Sequence, residues 1–194
     1  MDDANLSRRT LALGLGAAAA SSLLAAPAWA AGDDTYSEPE ILHAAERFFG
    51  AGAEGLAAVV RHVFEQNGRP NGYIDGQEGS GAIGVGLRYG RGTLHLKSRN
   101  DTHRVYWQGP SIGFDTGGDA AKVFTLVYGL HNPDDIYQRF PGVDGSAYFI
   151  GGVGVNYQRA NNITLAPMRA GVGFRLGANI GYLAYSRRRR INPF

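Results

Sequence analysis

The feature that most constrains this chain is a change of hydrophobic period. Ile41, Leu42, Ala45, Phe48 and Phe49 fall on one helical face, and Leu56, Val59, Val60, Val63 and Phe64 repeat the pattern after Gly50 to Gly52. Ser37-Glu38-Pro39-Glu40 reads as a capping box opening the first helix, and Asn67-Gly68 closes the second. From Tyr73 onward the period is two, with β-rich runs at 82–89, 93–98, 103–108, 122–130, 146–157, 162–166 and 171–185. Gly, Asn, Asp and Pro turns separate the runs, and the 29 glycines of the 194-residue chain favour sheets, bulges and tight turns over a helix bundle. Asn132-Pro133-Asp134-Asp135 predicts one helical turn through Phe140. The expectation is a mainly β fold: a small, soluble antiparallel barrel of about eight strands behind two N-terminal helices.

Residues 1–30 read as an export signal, with Ser7-Arg8-Arg9-Thr10-Leu11, an apolar stretch from Leu11 to Leu24, and an Ala28-Trp29-Ala30 cleavage site. The paired arginines fit a twin-arginine signal, and a general secretory leader has the same parts. Cleavage after Ala30 predicts a periplasmic protein, and the absence of cysteine leaves stability to packing. The expected organisation is a helical segment 31–70, a barrel domain 71–186 and a basic tail 187–194. Removing the leader deletes Arg8 and Arg9 with Asp2 and Asp3, so the net charge stays +2. Four positive charges sit in Arg187 to Arg190, and the rest of the body is slightly acidic, so nucleic acid is not an expected partner. That tail also interrupts the apolar alternation a terminal outer-membrane strand would need.

Catalytic signatures are weak. Asp115-Thr116-Gly117 matches the aspartic-protease tripeptide, but it occurs once, and such a protease needs two carboxylates side by side. Asp-Thr-Gly-Gly is also good turn chemistry. Gly79 to Gly84 fits G-x-G-x-x-G but leads into a strand, so no dinucleotide is expected. His43, His62, His95, His103 and His131 lack metal-ligand spacing. The reading is therefore of a non-enzymatic protein with no cofactor and no metal. The segments 84–90 and 171–177 echo each other as GVG, apolar, Arg, apolar, Gly. Period two sets Ile83, Val85, Leu87 and Tyr89 on one face and glycines with Arg88 on the other. On one reading the glycines permit curvature and Arg88 and Arg175 are solvated; on the other, the arginines anchor phosphate beside a groove.

The run Val105-Tyr106-Trp107-Gln108-Gly109-Pro110-Ser111-Ile112-Gly113-Phe114-Asp115-Thr116-Gly117-Gly118 resembles the envelope integrity protein A family, as do Gly68 to Ile74, the two echoes, Gly129 to Asn132 and Asn192-Pro193-Phe194. The resemblance implies a periplasmic eight-stranded barrel that supports envelope integrity, with no catalytic residues to carry over. The Gly-Pro-Ser-Ile-Gly stretch and the apolar strand after it show a weaker similarity to SYLF-type lipid-binding domains. A lipid, glycolipid or other envelope component is the expected partner. Tyr106, Trp107 and Phe114 are candidate apolar contacts, Arg88, Lys122 and Arg175 candidate head-group contacts, and Arg187, Arg188, Arg189 and Arg190 candidate membrane-surface contacts. The alternatives are a docking protein for an envelope assembly and, remotely, a retroviral-type protease acting through Asp115.

Overall fold

The structure, a computed structural model, describes residues 34–50, 55–81, 86–99, 101–111, 121–170 and 181–190. Phe114, Asp115, Arg175, the second GVG echo and the leader lie outside the described residues.

Helix α1 spans Glu38–Phe49 and helix α2 Leu56–Asn67. The Ser37 amide and hydroxyl both donate to Glu40 Oε2 at 2.8 Å, fixing the first turn of α1 as the capping-box sequence predicts. Lys97 also binds this carboxylate, and these contacts hold the Glu40 carboxyl down to about 2. Gly68, at positive φ, ends α2.

The described strands are β1 (Gly72–Gly81), β2 (Gly86–Leu96), β3 (Asp101–Ser111), β4 (Ala121–Tyr128), β5 (Arg139–Pro141), β6 (Tyr148–Ile150), β7 (Val153–Val155), β8 (Gln158–Ala160), β9 (Ile163–Ala170) and β10 (Tyr182–Ser186). They form one antiparallel sheet in the order β5-β10-β3-β2-β1-β4-β9-β7-β6, with β8 also on β9. A bridge between Gly142 and Gln158, with the Val143 amide donating to the Tyr157 carbonyl at 2.9 Å, returns the β5 end of this sheet to β8. A ring of eight strands results, β1-β4-β9-β8-β5-β10-β3-β2, while β6 and β7 form a hairpin beyond it on β9.

Several strand limits differ from the sequence expectation. Residues 86–89 and 93–96, from two of the expected runs, belong to one strand, β2, because Gly90-Arg91-Gly92 continues the ladder instead of turning. The Trp107 ring fills the space inside Gly90, where a Cβ would lie 2.0 Å from Cε2, and it also packs against Gly76. These glycines are places for an indole, not turn residues. Strand β1, poor in β-branched residues, is held by its ladders to β2 and β4 on either side. The helical turn after Asn132 is a 3-10 segment, Pro133–Ile136, and Phe140 lies in β5 with its fully buried side chain in the barrel.

Two cores result. Ile74, Leu94, Val105, Val127, Leu165, Phe140 and Leu183 fill the barrel interior. Ile41, Ala45, Val59, Val60 and Val63 of the helices pack on Phe124, Leu126, Ala166, Met168, Val153 and Val155, which face outward from β4, β9 and β7. Each fully buried Leu or Val contributes roughly 1.5–3 kcal/mol relative to an exposed one, so the helices are part of the fold and not an appendage.

Candidate functional site

Above the apolar interior lies a polar level. Inward-facing Glu78 (β1), Arg88 (β2), Trp107 (β3) and Arg169 (β9) meet near the strand ends Gly81, Gly86, Ser111, Ala121 and Ala170. Arg169 Nε donates to Glu78 Oε1 at 2.5 Å and its Nη2 to Oε2 at 3.3 Å, while Trp107 Nε1 donates to Oε2 at 3.2 Å. Arg88 Nε stands 3.7 Å from Oε1, and Arg169 Nη1 donates to Asn156 Oδ1 at 3.0 Å. Burial pushes the Glu78 carboxyl up, but Arg169 and Arg88 with the hydrogen bonds outweigh it and hold it below the ordinary carboxylate range. Burial, then repulsion from Arg169, lowers the Arg88 guanidinium to about 10. Burial raises the Tyr185 hydroxyl. Near neutral pH this cluster is ionised, which suits an internal tie between strands better than proton transfer.

Arg88 is 1% exposed, which overturns the reading of it as a solvated residue. The glycine and arginine face of β2 points into the barrel, while Leu87 and Tyr89 on the other face are only half-buried. The physical reason is the ion pair: with Glu78 its diagonal neighbour on β1, an arginine can be buried where an aliphatic side chain would otherwise stand.

A cleft of about 610 Å³ lies across the outside of β1, β2, β3 and β10. Two cross-strand rows build it. One runs Gln77, Arg91, Tyr106, Ser186; the next, two residues along each strand, runs Gly79, Tyr89, Gln108, Ala184. Period two turns all these positions outward, and the small residues Gly79, Ala184 and Ser186 leave room beside the large side chains of Tyr89, Arg91 and Tyr106. A Cβ at Gly79 would meet nothing within 4 Å. Arg189 and Arg190, following β10, complete the lining. The single acidic lining residue, Glu78, is buried and bound to Arg169, so the cleft is cationic.

The predicted site residues are thus dispersed. Tyr106, Arg189 and Arg190 come together at the cleft, which Trp107 also lines although its indole bonds Glu78 inside the barrel. Lys122 is next to Gln77 across the ladder, but its ammonium donates to the Phe48 carbonyl at 2.8 Å and lies 5.6 Å from the Phe48 ring centre, finishing α1. Arg187 pairs with Asp134 and lies over the Tyr137 ring, and the Arg188 carbonyl accepts from Ser186 Oγ. Sequence reasoning misses Arg91, Gln77 and Gln108; the signal is the alternation of Tyr89 and Arg91, which falls across the break between the expected runs 82–89 and 93–98. Among the described residues no group of three or more His, Asp or Glu is placed to hold a metal ion, and no helix is long and apolar enough to cross a membrane.

Comparison with known proteins agrees with this architecture. The sequence model of the envelope integrity protein A family matches residues 34–194. The crystal structure of a β-barrel-like, uncharacterized protein from Brucella abortus is similar at a TM-score of 0.76 and 48% identity, covering 83% of this chain and 99% of that one. No curated protein matches the chain.

Proposed function

The chain belongs to the envelope integrity protein A family, and from that premise we propose that it supports the cell envelope without catalysis, by holding the anionic head group of a lipid or glycolipid in the outer cleft. The observation that carries this reading is the convergence of Arg91, Arg189 and Arg190 on a recess that also carries Tyr89 and Tyr106. Guanidinium forks suit phosphate and carboxylate oxygens, and tyrosine offers a flat apolar face with a polar tip. The protein acts after export to the periplasm, with residues 1–30 removed. Native mass spectrometry of protein purified without detergent, followed by organic extraction, tests the proposal. A stoichiometric lipid adduct that is lost in Arg91→Gln/Arg189→Gln is expected; a bare mass, or an adduct the double variant retains, would overturn it.

One observation favours the docking alternative. β6 ends the sheet, and Phe149 and Ile150 on it are exposed, as is Val143 in the segment leading to it. A terminal strand with apolar side chains can pair with a partner's strand. Crosslinking through this edge in cells, abolished by Ile150→Lys, would favour it over the cleft.

A further inference from the structure

We infer that the cleft recognises an anionic saccharide, a sugar ring bearing phosphate or carboxylate, and not the acyl part of a lipid; the inference rests on the head-group reading above. The lining carries the amides of Gln77 and Gln108 and the hydroxyls of Tyr89, Tyr106 and Ser186, the last already donating to the Arg188 carbonyl, and besides Trp107 it includes no large apolar side chain such as Leu, Ile, Val, Met or Phe. An acyl chain over the exposed Gln77 and the half-buried Tyr106 would strip water from polar groups without replacing their hydrogen bonds, whereas a saccharide returns hydroxyls to them. Tyr89 faces Gln108 across the ladder and Tyr106 faces Arg91, so the two phenol rings are diagonal neighbours on adjacent strands, roughly 7–8 Å apart at the backbone. Each ring thus has an amide or a guanidinium beside it, the pairing that a sugar needs when its C–H face lies on an aromatic and its hydroxyls point sideways. Arg91 approaches from β2, and Arg189 and Arg190 from beyond β10, so an anionic substituent on the ring meets cations from two sides. The cleft, about 610 Å³, falls within the usual range of small-molecule sites, and Gly79 keeps one end of it open.

The test is calorimetric titration of the full chain with four probes: a bis-phosphorylated glucosamine disaccharide without acyl chains, the same disaccharide unphosphorylated, a uronic-acid disaccharide, and inorganic phosphate. The inference expects one of the anionic disaccharides to bind at least ten-fold more tightly than both inorganic phosphate and the neutral sugar. Gly79→Leu, which fills open space, and Arg91→Gln/Arg189→Gln should each weaken that binding ten-fold or more with the melting temperature unchanged. Tyr106→Ala should weaken the disaccharide and leave phosphate unaffected. Equal affinity for phosphate and the anionic disaccharides would overturn the saccharide assignment while the anionic head-group reading stands. Binding to phosphatidylglycerol vesicles with no affinity for any saccharide would do the same. Binding to none of these would sink both. Where the disaccharide binds, vesicles carrying its acylated form identify the source: capture that is sensitive to the same variants means a membrane glycolipid, and absence of capture means a soluble glycan.

Discussion

Among the described residues the barrel has a covered half and a bare half, and the same strand geometry serves each differently. On β4 and β9 nearly every side chain is buried, because one face looks into the barrel and the other lies under α1 and α2. On β2 burial alternates: Arg88, Leu94 and Leu96 are inside, while Tyr89, Arg91, Thr93 and His95 meet solvent. The covered half therefore has both faces committed to packing, and the bare half has one face released from it. A recognition surface built on that released face costs the core little, and this is where the cleft lies.

Three experiments would break or sharpen this contrast. The largest effect belongs to the residue that ties the halves together, Glu78 of β1, held by Arg169 of β9. Glu78→Gln leaves two guanidinium groups facing an amide inside the barrel and should cost about 4 kcal/mol in urea unfolding. Its folded carboxyl is held below its ordinary value, so the stability it contributes is complete above about pH 4.5 and is lost as pH falls through the depressed folded value. The Gln variant should lose that part of the acid dependence, and an unchanged acid limb would contradict the assignment.

Next comes the contrast itself. Phe124→Ala, under the helices, should cost about 3 kcal/mol, whereas Tyr106→Ala on the bare face should cost less than about 1. Comparable losses by thermal unfolding would mean that the bare face is also structural. The smallest effect separates inside from outside within the bare half. Gly90→Ala drives a methyl into the Trp107 ring and should cost about 2 kcal/mol, while Gly79→Ala enters open space and should change the unfolding midpoint negligibly.

Much of the scaffold is legible in the sequence. The stripe Leu56, Val59, Val60, Val63 gives the buried face of α2, Ser37 and Glu40 give the start of α1, and the period of two gives a β domain of about eight strands. The site is less legible. Arg88 and Arg91 differ by three positions in one strand and look alike as sequence, yet one is buried against Glu78 and the other lines the cleft. Arg187 to Arg190 read as one charge run, although Arg187 is drawn to Asp134 and Tyr137 while Arg189 and Arg190 reach the cleft.

The sequence by itself determined the two helices, the β character of the chain after them and the alternation within its strands, because period, capping and turn chemistry are local. Only the tertiary structure decided which face of each strand looks inward and which half the helices cover. Register and ring closure are set by contacts between residues as distant as Glu78 and Arg169, or Gly142 and Gln158. A one-residue change of register would exchange the inner and outer faces. Burial of Arg88 and exposure of Arg91 are therefore properties of the closed barrel and not of the strand that carries them.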